Sequence, residues 1–193
     1  MFTLRGGTVS RFLAKGDFNG HGKLDVLLDG RNASAKPVLV VFLGNGTGGF
    51  GVPIVTTIAG VNKAQIALAG DLNGDGIQDA VVTGTDTVTG VTEFGVMLAD
   101  GTGKFRTPVF TRASVAALMT LGDYTGDGKI DLVLLTHGIE VFPGKEDGTF
   151  ALRMQVRLLS SRGIWRESGL TSSCVHAVRV EGLVRDRSHA PVL

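Results

Sequence analysis

An internal repeat constrains the fold of this chain more than any other feature of its sequence. The pattern Gly-Asp-x-[Asn/Thr]-Gly-x-Gly-x-x-Asp occurs three times, at residues 16–25, 70–79 and 122–131. Each copy leads into a short apolar run and then into a glycine-rich turn that ends in phenylalanine. These phenylalanines are Phe50, Phe105 and Phe150. Two shared features in the same order, three times over, indicate repeating units of about 50 residues.

Each unit has the composition of short strands joined by turns. The chain contains 29 glycines but only 5 prolines, and its Val-, Ile-, Thr- and Phe-rich runs are separated by Gly, Asp and Asn. In the second unit this pattern predicts four strands, at about residues 64–70, 79–84, 91–98 and 106–112, and no amphipathic helix occurs within residues 1–150. The prediction is an all-β fold, a partial β-propeller of about three four-stranded antiparallel blades.

The aspartate loops place oxygen atoms at positions 1, 3, 5 and 9, and a backbone carbonyl at position 7 can add another. Oxygens at alternate positions of a glycine-bent loop are typical of Ca²⁺ sites. The predicted ligands are Asp71, Asn73, Asp75, the Ile77 carbonyl and Asp79 in loop two, and Asp123, Thr125, Asp127, the Lys129 carbonyl and Asp131 in loop three. Loop one offers Asp17, Asn19 and Asp25 but has His21 at position 5, and we expect it to bind calcium weakly or not at all.

Two other interpretations of the loops were weighed. An EF-hand requires a bidentate acid at position 12, and that position is apolar in all three loops, as Leu28, Val82 and Leu134. Asx-turns without a metal stay open as an alternative. If a metal binds, its role is structural, because all its ligands come from one loop and no nucleophile or base lies beside them in sequence.

These loops, with the following strand and the Gly-Thr-Gly-x-Phe type of turn, resemble the FG-GAP/VCBS repeat over residues 2–150. That family forms the seven-bladed propeller of integrin alpha subunits and of many bacterial extracellular proteins. The resemblance implies that each calcium loop joins the first and second strands of a blade, and that the intact protein is extracellular or at the cell surface. His21 and Thr125 depart from the family pattern.

Residues 1–159 are therefore predicted to form the blades, and residues 160–193 an atypical basic tail, either disordered or out of frame. From residue 151 onward the chain has seven arginines against three acidic residues, whereas residues 1–150 have 12 basic and 15 acidic residues. Phe2 aligns with the phenylalanines that end the later units, so we expect the chain to begin inside a blade, as a fragment. Missing blades or self-association would then complete the ring.

Composition limits the possible functions. A net charge of +1 argues against nucleic-acid binding, no apolar segment is long enough to span a membrane, and the single Cys174 excludes an intramolecular disulfide. No catalytic motif is present, so we predict a non-enzymatic segment that recognises a protein or carbohydrate. The alternatives are an accessory propeller region of a larger secreted enzyme and a sugar-binding propeller.

Overall fold

The computed structural model describes residues 3–4, 7–112, 118–135 and 138–156. These residues form thirteen strands in three antiparallel sheets and contain no helix. The first sheet has five strands in the order β1 to β5: Thr3–Leu4, Gly7–Gly16, Asp25–Arg31, Pro37–Phe42 and Ile54–Thr57. The second comprises β6 to β9: Val61–Gly70, Asp79–Asp86, Thr92–Met97 and Val109–Arg112. The third comprises β10 to β13: Leu118–Gly122, Asp131–Leu135, Ile139–Phe142 and Met154–Val156.

The three sheets confirm the predicted all-β fold, a partial propeller-like arrangement of blades. The four strands predicted for the second unit are all present, although β6 begins earlier than expected and β9 later. Strand β1 differs from expectation: Thr3–Leu4 pairs antiparallel with β2 of the same first sheet, which gives that sheet a fifth strand. Phe2 and the predicted tail at residues 160–193 lie outside the described residues.

The second sheet is buried on both faces because side chains alternate along β7. Ala80 and Val82 pack into a core shared with the first sheet, whereas Val81 between them belongs to a core shared with the third sheet. The first core also holds Phe18, Leu27, Leu39, Val41, Met97 and Phe105. The second also holds Phe94, Val96, Leu132, Leu134 and Phe142. Neighbouring sheets are thus held face to face by apolar packing.

The phenylalanines that end the repeats connect each unit to the one before it. Phe105 packs edge-to-face on Phe18 of the first unit, with ring centroids 5.8 Å apart. Phe150 packs in the same way on Phe94 of the second unit, also at 5.8 Å. Phe50, which ends the first unit, is 55% exposed. The shared phenylalanine is therefore an inter-sheet contact in two of its three occurrences.

Candidate metal centre

Each aspartate loop joins the first two long strands of its repeat. Residues 17–24 connect β2 to β3, residues 71–78 connect β6 to β7, and residues 123–130 connect β10 to β11. This is the position that the family resemblance implied. Position 12 of each loop, which an EF-hand would need for a bidentate acid, lies in a strand: Leu28 in β3, Val82 in β7 and Leu134 in β11.

The glycines at positions 4 and 6 bend each loop. Both have positive φ angles in all three copies, for example 75° at Gly74 and 83° at Gly76. Side chains other than glycine rarely adopt this conformation. The sequence argument identified the need for glycine at position 6 only, and the structure extends it to position 4.

The carboxylate at position 1 organises the loop from inside. In the second loop, Asp71 accepts hydrogen bonds from the backbone N–H groups of Gly74 at 2.8 Å, Asp75 at 3.1 Å and Gly76 at 2.9 Å. Asp123 has the equivalent partners in the third loop. The loop backbone therefore curls around this carboxylate.

Asp17 is the position-1 carboxylate of the first loop. Partial burial acts to raise its pKa, but backbone N–H groups, Gly22 foremost among them, outweigh burial and hold the pKa below its ordinary value. The carboxylate is therefore ionised at neutral pH and supplies a negative charge to the loop.

The carboxylates at position 9, Asp25, Asp79 and Asp131, are fully buried and link two parts of each repeat. Asp79 accepts the Leu72 N–H at 3.0 Å, at the start of its loop, and the Ala99 N–H at 2.8 Å, after β8. Ala99 in turn forms the β-bridge to Phe105.

The same arrangement recurs in the other two repeats. Asp25 accepts the N–H groups of Phe18 and Gly44, and Asp131 those of Tyr124, Thr125 and Gly144. Position 9 thus fastens the aspartate loop to the phenylalanine turn. The sequence pattern predicts the acid at position 9 only as a metal ligand. The sequence signal for its second role was that an aspartate loop is always followed by a phenylalanine turn.

The exposed carboxylates at position 5 are bonded within their own loops. Asp75 accepts hydrogen bonds from the Asn73 side-chain amide at 2.9 Å and from the Ile77 N–H at 2.8 Å. Asp127 accepts the Lys129 N–H at 3.0 Å. Asn73 and Asp75 therefore lie side by side, as two ligands of one ion would. Metal coordination by the remaining predicted ligands stays a prediction; these are Asn73, Thr125 and the carbonyls of Ile77 and Lys129.

Negative charge is concentrated around Asp79. The pKa of this carboxyl is raised to about 6, mainly by burial and to a smaller extent by the nearby charges of Asp75 and Asp71, against the lowering effect of the Ala99 and Leu72 N–H groups. The second loop thus holds three carboxylates close enough to repel one another.

The first loop contains a different donor set. Asp17, His21 and Asp25 each place one donor atom within 4.8 Å of the other two. The imidazole Nδ1 lies 3.3 Å from Asp17 Oδ1, and Nε2 lies 3.5 Å from Asp25 Oδ1. Within the described ranges, no other three His, Cys, Asp or Glu side chains meet in this way. Asn19, predicted as a ligand here, bonds through its side-chain oxygen to the His21 N–H at 3.4 Å.

The fold and the loops define an all-β repeat protein with propeller-like blades. Residues 17–82 match the family model described as FG-GAP-like repeat, a segment that begins at the first aspartate loop and ends within β7. The predicted resemblance is therefore confirmed for residues 17–82, about a third of the chain. No curated protein matches the chain. No helix in the described residues is long and apolar enough to cross a membrane.

Proposed function

We propose that this chain is a non-catalytic segment of a β-propeller whose second and third aspartate loops are stabilised by Ca²⁺. The observation that carries the proposal is the repeated loop, in which one carboxylate organises the turn and another fastens it to the next hairpin. The remaining acid, at position 5, is exposed, and the hydrogen bonds described above connect it only to residues of its own loop. Each of these two loops thus offers three carboxylates, which lie farther apart in the structure than the three donors of the first loop.

The donor chemistry of these two loops fits calcium. Both offer carboxylate, amide or hydroxyl, and carbonyl oxygens, which are the ligands of a hard cation. The ion would be held by Asp71, Asn73, Asp75, the Ile77 carbonyl and Asp79, and in the third loop by Asp123, Thr125, Asp127, the Lys129 carbonyl and Asp131. Its positive charge would offset both the burial of Asp79, which is the main cause of its raised pKa, and the smaller repulsion from Asp75 and Asp71.

Such sites suit an extracellular location, which we propose for the intact protein. A dissociation constant of ~0.1 mM is typical of extracellular modules. At ~1 mM free calcium each site would then contribute about 1.4 kcal/mol to the free energy of unfolding. Two sites would raise the melting temperature of a chain of this size by roughly 6–11 °C.

The proposed recognition surface is the groove between the second and third loops. It encloses about 680 Å³ and is lined by Asp71, Asn73, Asp127, Lys129 and Lys145 among others. The mixture of acidic and basic side chains in this lining favours a protein partner of mixed charge over an uncharged sugar. The exposed Phe50 supports a second contact, with a further blade or another copy of the chain, since its equivalents pack on a preceding sheet.

The test is thermal unfolding of the full chain in millimolar calcium and in excess chelator. The double variant Asp75→Asn/Asp127→Asn removes exposed carboxylates without touching the buried bonds of position 9, so it should fold and lose the calcium-dependent rise. Asp100→Asn is the matched control, because Asp100 is an exposed acid outside the aspartate loops, and an amide oxygen can still accept the two hydrogen bonds from Thr102. A melting temperature that ignores calcium in the wild-type chain would refute the proposal.

A further inference from the structure

We propose that the first loop is a site for a borderline divalent cation such as Zn²⁺ or Co²⁺, distinct in kind from the calcium sites. Its donor set does not fit calcium, because an imidazole stands where loops two and three have a carboxylate. Imidazole with carboxylate is, by contrast, a common ligand combination for Zn²⁺. The inference does not depend on calcium binding elsewhere in the chain.

The hydrogen bonds of His21 assign its tautomer. Nε2 lies 3.0 Å from the Gly44 carbonyl oxygen, which can only accept, so Nε2 carries the proton. Nδ1 accepts the Lys23 N–H at 3.3 Å, which requires a lone pair on that nitrogen. In the neutral ring, Nδ1 therefore carries the lone pair, and a metal bound there would replace the long Lys23 N–H contact.

That lone pair faces a carboxylate. Nδ1 is 3.3 Å from Asp17 Oδ1, and no proton of the neutral ring lies between these two electron-rich atoms. Two acceptors in such contact repel each other unless a cation, either a proton on the ring or a metal ion, lies between them. Ligand atoms around a tetrahedral Zn²⁺ are separated by about 3.3 Å, given bond lengths near 2.0–2.1 Å.

The remaining contacts resemble those that support a metal-bound histidine. A ligating imidazole almost always donates its other N–H to a carbonyl or carboxylate, which fixes the ring. Here the Gly44 carbonyl accepts that bond, and the Gly44 N–H binds Asp25 Oδ1 at 2.8 Å. Asp25 is fully buried and lies on the Nε2 side of the ring, with Oδ1 3.5 Å from Nε2, so Asp17 and Nδ1 are the close ligand pair and Asp25 is a more distant third donor within 4.8 Å. Water would complete the coordination.

The experiment is a titration of the full chain with Co²⁺, followed by visible absorption and then by competition with Zn²⁺ and Ca²⁺. We expect one equivalent of Co²⁺ to bind, Zn²⁺ to displace it and millimolar Ca²⁺ to leave it in place. In His21→Asp, which recreates the acid of the other loops, the Co²⁺ affinity should fall at least about tenfold. The same variant should bind one additional Ca²⁺.

Two further variants make the outcome decisive. Asp75→His transfers the imidazole to the second loop and should add one Co²⁺ equivalent there. Cys174→Ser/His176→Asn removes other soft donors of the sequence and should leave Co²⁺ binding unchanged. The proposal is overturned if the wild-type chain binds no Co²⁺, if binding survives His21→Asp, or if it disappears with Cys174 and His176. None of these results bears on whether calcium raises the melting temperature through loops two and three.

Discussion

The raised pKa of Asp79 predicts that the calcium-free protein loses stability as the pH rises through the acidic range. The pKa is 3.8 for an ordinary aspartate and about 6 in the fold, mainly because the carboxyl is buried. Between these values the folded chain binds more protons than the unfolded chain, so the free energy of unfolding falls with increasing pH. Stability from this group is complete below pH 3.8 and is lost once the pH exceeds about 6.

The size of the effect follows from the shift. At 1.36 kcal/mol per pKa unit, the rise from 3.8 to about 6 corresponds to roughly 3 kcal/mol. In Asp79→Asn that pH-dependent loss should disappear. The broken bond to Leu72 or Ala99 adds a constant destabilisation at every pH, because an amide accepts only through its oxygen. The slope against pH therefore isolates the ionisation from the lost hydrogen bond.

The assay is urea unfolding in chelator from about pH 4 to pH 7, followed by circular dichroism. The wild-type chain should lose roughly 2.4 kcal/mol more than Asp79→Asn over this range, because part of the total of about 3 kcal/mol is already lost at pH 4. Asp75→Asn, which removes one of the neighbouring charges, should give an intermediate slope. Parallel curves for wild type and Asp79→Asn would show that the buried carboxyl does not titrate in this window, and the reasoning would fail.

Three further substitutions test other parts of the structure. Asp131→Ala should lower the free energy of unfolding by about 3 kcal/mol even in chelator, because it leaves the buried Gly144 N–H without its acceptor. Asp127→Ala, at an exposed position, should change that free energy by less than about 1 kcal/mol, and urea midpoints measured in chelator distinguish the two variants. Gly144→Ala should prevent cooperative unfolding, seen by calorimetry, because a Cβ there would overlap the Ile130 carbonyl oxygen. Phe94→Ala should lower the free energy of unfolding by about 3–5 kcal/mol, because this ring packs on Phe142 and Phe150 of the third unit. A urea midpoint equal to that of the wild type would show that the ring does not hold the second and third sheets together.

The strands and the loops were predictable because both depend on local pattern. Alternating apolar residues and glycine-rich turns located all four strands of the second unit. The early start of β6 was not predictable, since its pairing with β7 shifts register between Val61 and Ala64 and again between Ala64 and Ala67. Such bulges depend on the partner strand, which single-sequence patterns do not report.

The role of position 9 was only partly predictable for the same reason. An acid at that position is visible in the sequence, but its second backbone partner is distant. Asp79 reaches Ala99, 20 residues away, and Asp25 reaches Gly44, 19 residues away. The orientation of His21 likewise depends on the Gly44 carbonyl. The sequence pattern identifies the side chains that could bind a metal, whereas tertiary contacts decide how those side chains are oriented.

The bonds of position 9 explain how a cation in a surface loop can stabilise a whole blade. Asp79 holds the Ala99 N–H, Ala99 bridges to Phe105, and Phe105 packs on Phe18 in the preceding unit. A charge that fixes the Asp79 carboxylate therefore also fixes the hairpin that carries an inter-sheet aromatic contact. These direct contacts are the route by which calcium bound at the second loop, as proposed, would stabilise the packing between sheets.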